Sequence, residues 1–82
     1  MPTVLRVGGF RVVIFLPPRE HRPAHVHVRN ATGETVIELA TPLQPQTIRS
    51  IAGMRTADVT RAFWIVEEHT DFLLTRWSEY HD

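Results

Sequence analysis

The stretch Arg22-Pro23-Ala24-His25-Val26-His27-Val28-Arg29 decides how this chain is read. Its strict alternation is that of a β-strand with one buried face. Ala24, Val26 and Val28 point one way, and His25, His27 and Arg29 point the other. The strand keeps one face apolar and spends the other on two imidazoles and a guanidinium, so the polar face is the first candidate for a site.

Downstream, Asn30-Ala31-Thr32-Gly33 reads as a turn and Glu34-Thr35-Val36-Ile37-Glu38-Leu39 as the next strand. A four-residue loop sets Arg29 opposite Glu34, His27 opposite Val36 and His25 opposite Glu38. The other face then pairs Val28 with Thr35, Val26 with Ile37 and Ala24 with Leu39. Both faces sort cleanly, which a one-residue slip would undo. Upstream, Thr3 to Val7 and Phe10 to Leu16 are β-branched and aromatic runs joined by Gly8-Gly9. Such a glycine loop predicts a tight hairpin, because primed turns require positive φ. Val7 then faces Phe10, Leu5 faces Val12 and Thr3 faces Ile14, while Arg6 lies opposite Arg11 on the reverse face. Two like charges so placed repel unless an acid or an anion sits between them. Pro17-Pro18 ends the second strand, since neither residue can donate to a ladder.

Residues 40–55 contain Pro42, Pro45 and Gly53 and show no clear period, so they read as a connector with a short helical turn from Thr47 to Ile51. Thr56 reads as the N-cap of a helix over about 57–78, with Asp58 suited to the helix dipole in its first turn. Val59, Ala62, Phe63, Val66, Thr70, Leu73 and Trp77 recur at spacings of three and four and predict one apolar stripe. Trp64, Ile65 and Phe72 lie off that stripe and mark either a contact with the connector or a partner surface. His69, near the stripe, reads as a packed histidine. The fold class is therefore α+β: one domain over 1–82, with strands within 3–39 forming a four-stranded, mainly antiparallel sheet of two hairpins. One long C-terminal helix crosses its apolar face.

Composition bounds the function. The 82 residues contain no cysteine, which excludes disulfides and thiolate metal sites. No run is long and apolar enough for a membrane span and no signal peptide opens the chain, so a soluble, cytoplasmic protein is expected. Net charge is zero but uneven: residues 1–33 hold five arginines against Glu20, and residues 34–82 hold four arginines against eight carboxylates. All nine basic residues are arginine, the better partner for bidentate phosphate or carboxylate contacts. A neutral chain does not bind nucleic acid by bulk charge, although its N-terminal half allows a local basic face.

The opening Met-Pro-Thr-Val-Leu-Arg, the Gly-Gly-Phe-Arg hairpin, the Pro23-x-His25-x-His27 signature and a C-terminal helix ending near Trp77 together resemble the bacterial family called domain of unknown function 4160. The resemblance covers most of residues 1–39 and 53–80. It implies a place in a two-gene arrangement like a toxin–antitoxin pair, hence a cognate small protein from the same operon as partner.

The residues themselves leave three uses of the polar face open. In the first, His25 and His27 are acid–base groups with Glu38 orienting His25, and Arg11, Arg22 and Arg29 hold a phosphate. Two histidines with arginine help suffice to cleave RNA by attack of its 2′-hydroxyl, with no cofactor. In the second, His25 and His27 ligate a divalent metal such as zinc, with Glu38, Glu20 or His21 as third ligand. In the third, the face binds a protein partner, and the chain forms a homo-oligomer or a heteromeric complex through surfaces that include Trp64, Ile65 and Phe72.

Overall fold

The computed structural model describes residues 2–17 and 22–81. Five strands form one antiparallel sheet in the order β1-β2-β3-β4-β5, each paired with its sequence neighbour: β1 Thr3–Val7, β2 Phe10–Val13, β3 His25–Arg29, β4 Glu34–Glu38 and β5 Thr47–Ala52. Two helices follow, α1 Thr56–Glu68 and α2 Thr70–His81. The class is α+β as expected, but with five strands and two helices in place of four strands and one long helix.

The central hairpin has the register that its two-faced pattern dictates. His25 pairs with Glu38, Val26 with Ile37, His27 with Val36, Val28 with Thr35 and Arg29 with Glu34. Its loop closes through the Asn30 side chain, whose Oδ1 accepts from Thr32 N at 3.0 Å and Gly33 N at 3.0 Å. This is an Asx turn that offers the loop's donors a local partner. Gly33 also abuts the end of β5. A Cβ there would lie 2.2 Å from the Ala52 carbonyl oxygen and 2.5 Å from Met54 N, both backbone atoms that cannot swing aside. Gly33→Ala is therefore expected to destabilise the fold by about 1–3 kcal/mol, the usual range for overpacking. Urea denaturation would check it, and an unchanged midpoint would contradict it.

The first hairpin turns at Gly8 and Gly9, whose φ angles of 49° and 86° are the positive values a primed turn demands. Val7 faces Phe10, Arg6 faces Arg11 and Leu5 faces Val12. A register shift between Thr3 and Leu5 then sets Thr3 opposite Val13, not Ile14. The two hairpins join through β2 and β3, which brings Arg11 opposite Arg29 and Val13 opposite His27.

The stretch expected to hold a helical turn is β5. Ile48 pairs with Ile37 and Ile51 with Thr35, and a register shift near Arg49 lets two isoleucines three residues apart share one face. The segment expected to hold a helical turn is here a bulged strand. All six β5 residues are exposed, so no buried face marked it in the sequence.

Val59, Ala62 and Val66 of α1 pack with Val12, Val26, Val28 and Ile37 in one core, to which α2 adds Leu73 and Trp77. Arg55, not Thr56, occupies the N-cap position, and no side chain caps that end. Asp58 accepts from Asn30 Nδ2 at 3.1 Å, tying the first turn to the central hairpin. The helix breaks at His69, whose N–H bonds the Val66 carbonyl, three residues back, at 3.1 Å. Side chains compete for carbonyls of the preceding turn: His69 Nδ1 donates to Ile65 O at 2.7 Å, and Thr70 Oγ1 donates to Val66 O at 3.3 Å and Glu67 O at 3.0 Å. An unbroken helix from Thr56 to His81 would run roughly 39 Å over strands of about 17 Å. The break keeps its second half against the core. Among the described residues no helix is long and apolar enough to cross a membrane.

Candidate functional site

Alternation along β3 sends Val26 and Val28 to the helices and leaves His25, His27 and Arg29 on the opposite face of the sheet. That face is not uniformly open. Val13, Phe15 and Val36 are buried on it, and His25 is only 1% exposed. Its Nδ1–H donates to the Pro23 carbonyl at 2.8 Å, and its ring lies 5.0 Å from that of Trp77. Trp77 stacks in turn on His81, with centroids 3.8 Å apart, and His81 Nε2–H donates to the Phe15 carbonyl at 2.8 Å. The end of α2 thus closes over His25. Of the two expected acid–base residues, only His27 retains surface, with its side chain 13% exposed.

The histidine–carboxylate pair also differs from expectation. Glu38 lies opposite His25, but its carboxylate takes the Arg49 guanidinium, Nε to Oε2, at 2.9 Å. Among the described residues, the carboxylate that meets an imidazole is Glu34, whose Oε2 accepts from His27 Nδ1 at 3.2 Å while its Oε1 accepts from Arg29 Nε at 2.5 Å. The signal was present in the register. Glu34 stands one pleat from Val36, the residue opposite His27, and such diagonal neighbours are within reach of long side chains. Arg49 gave no comparable signal, because its strand was not recognised.

Burial works against the Glu34 charge, but hydrogen bonds from Arg29 and His27, together with their charges, outweigh it and hold this carboxyl below the ordinary glutamate range. A carboxyl whose folded pKa is depressed stabilises the fold fully above its unfolded value and loses that contribution as pH falls through the folded one. The urea midpoint of wild type relative to Glu34→Gln should accordingly be higher at neutral pH, and the gap should close below about pH 4, where an ordinary glutamate protonates. A gap that does not change with pH would contradict the pairing.

The edge of Phe15 packs on the His27 ring at 4.4 Å between centroids, and the Arg29 guanidinium carbon lies 5.4 Å from the centre of the Phe15 ring. His27 is therefore held by Phe15 on one side and by Glu34 through Nδ1. With Nδ1 donating to a carboxylate, Nε2 carries the lone pair of the neutral ring, the arrangement a general base needs.

The expected arginines separate into two places. Arg22 is exposed before β3, at the opposite end of that strand from Arg29. Arg11 and Arg29 are directly opposite each other on β2 and β3, and Arg6 is opposite Arg11 on β1. Among the described residues no cluster of three or more histidines and carboxylates has metal-binding geometry. Glu20 and His21, two of the three candidate third ligands, lie outside the described residues.

Of the expected partner surface, Trp64 is 59% and Phe72 42% exposed, whereas Ile65 is partly buried against the core. Trp64 and Ile65 line, with Val7, Phe10, Arg61 and Glu68, a groove of about 320 Å³ where the first hairpin meets α1. Val7 and Phe10 point away from Arg6 and Arg11, so the groove is on the other side of the sheet from His27.

The family model described as Domain of unknown function (DUF4160) matches residues 9–78, which take in both histidines, Glu34 and all seven elements except β1 and the last turn of α2. No curated protein and no solved structure matches the chain.

Proposed function

We propose that this chain, which belongs to the domain of unknown function DUF4160 family, is the toxin-side component of a two-gene toxin–antitoxin-like module and cleaves RNA. The observation that carries the proposal is the His27–Glu34 pair, 3.2 Å apart, set beside three arginines on adjacent strands. In this reading the His27 imidazole takes the proton of a ribose 2′-hydroxyl. The O2′–P bond forms as the P–O5′ bond breaks, and the departing 5′-oxygen takes a proton from solvent. The products are a 2′,3′-cyclic phosphate and a 5′-hydroxyl. Glu34 holds the imidazole in the required tautomer, and arginine guanidinium groups offset the charge that develops on the phosphoryl oxygens. His25, buried beside Trp77 with its ring centre 5.6 Å from that of His27, is a positioning residue in this scheme.

A second reading, a non-catalytic module that binds the cognate small protein or a second copy, is favoured by the exposure of Trp64 and Phe72. Expression in bacteria separates the two. Growth arrest by wild type, abolished by His27→Gln and retained by Trp64→Ala, supports cleavage. Arrest that survives His27→Gln supports binding alone.

A further inference from the structure

We propose that Arg6 and Arg11 extend the His27 site into a phosphate track across β2 and β1, so that the ligand is a single-stranded polynucleotide lying across the strands. The inference rests on the RNA reading above and names the part of the substrate that this reading leaves unassigned. It starts from register. Arg6, Arg11 and Arg29 are directly opposite one another on three consecutive strands, so all three side chains leave the same face in one row. With neighbouring strands about 4.8 Å apart, the row spans roughly 10 Å. Its inner member is matched, because Arg29 pairs with Glu34 at 2.5 Å. Its outer members are not: Arg6 and Arg11 are exposed and form no ion pair or hydrogen bond with any described residue.

Two guanidinium groups set against each other on a sheet destabilise it unless an anion lies between them. The β1–β2 register makes this opposition unavoidable, since shifting it by one residue would expose Val7 and Phe10 and bury the arginines. An anion that bridges the pair removes the conflict, and the arginine fork suits phosphate. The row also has a direction. It ends at the Arg29–Glu34–His27 cluster, so a backbone whose scissile phosphate sits at His27 carries its neighbouring phosphates over Arg11 and then Arg6. An acidic peptide would match the charge but not the chemistry at that end.

The test is the salt dependence of binding. A short all-deoxy single strand lacks the 2′-hydroxyl and reports binding without cleavage. Each phosphate contact on a single strand contributes a slope of about −0.7 in log K against log salt. The Arg6→Gln/Arg11→Gln double variant should therefore have a slope about 1.4 shallower than wild type, while His27→Gln keeps the wild-type slope. The double variant should melt at or above the wild-type temperature, because it loses a repulsion. An unchanged slope in the double variant, beside loss of cleavage in His27→Gln, would overturn the track and leave the RNA reading standing. A poly-glutamate peptide bound as tightly as the oligonucleotide would overturn the choice of ligand. A wild type that neither binds the oligonucleotide nor cleaves RNA would remove both the track and the reading beneath it.

Discussion

Trp77→Ala is expected to lower stability by about 3–5 kcal/mol, the cost of truncating a fully buried tryptophan. Trp77 is 1% exposed and is one of the two buried residues of α2, the other being Leu73. Its ring also lies against His81 on one side and His25 on another, so its removal opens the join between the helix layer and the histidine face. Domains of this size have total stabilities of about 5–15 kcal/mol, so a large share would be lost. At roughly 4–8 °C per kcal/mol, the melting temperature should fall by at least about 12 °C. Trp64→Ala is the control. That tryptophan is mostly in solvent, and its loss should cost far less. Equal effects of the two truncations in thermal melts would contradict the placement of α2.

The other large effect concerns activity. His27→Gln is expected to lower the rate of RNA cleavage by roughly 10²–10⁴-fold, the usual contribution of a positioned acid–base group. The substitution keeps an amide that can donate to Glu34 but has no group able to take a proton near neutral pH. Stability should fall less than in Trp77→Ala, because the side chain, 13% exposed, is mostly buried but the new amide can keep the bond to Glu34 and Phe15 remains beside it. His25→Gln should behave differently. The buried ring donates to the Pro23 carbonyl and touches Trp77, so its loss should reduce stability and activity together. A His25 variant that folds as well as wild type yet has lost all cleavage would move the chemistry to His25.

The central hairpin was legible because both its faces carry information. Apolar residues sort to one side and His25, His27, Arg29, Glu34 and Glu38 to the other, and a one-residue slip would mix them. β5 was not legible because it is an edge strand with neither face buried, and its bulge spaces Ile48 and Ile51 as a helix would. The helix stripe was read correctly as far as Trp77, but the break within it was not. It depends on His69 and Thr70 side chains bonding backbone carbonyls, a local competition that hydrophobic spacing does not register. His81 was missed as well, although it stands four residues after Trp77 and continues the same stripe. At the site, the residue types were visible and their partners were not. Direct cross-strand opposition pointed to His25 with Glu38, whereas the structure uses the diagonal, His27 with Glu34, and gives Glu38 to a strand the sequence concealed. The arginine row was half visible. Arg6 opposite Arg11 follows from the glycine turn, but Arg11 opposite Arg29 requires the joining of β2 to β3, across a segment with no pairing signal of its own.

The measurement that bears most directly on the account is the chemistry of the RNA ends. Purified wild type and His27→Gln would each be incubated with a single-stranded RNA of defined sequence, and the fragments weighed by mass spectrometry. The account predicts fragments ending in 2′,3′-cyclic phosphate with matching 5′-hydroxyl ends from wild type, and intact RNA from the variant. Intact RNA from the wild type, or equal cleavage by the variant, would contradict it.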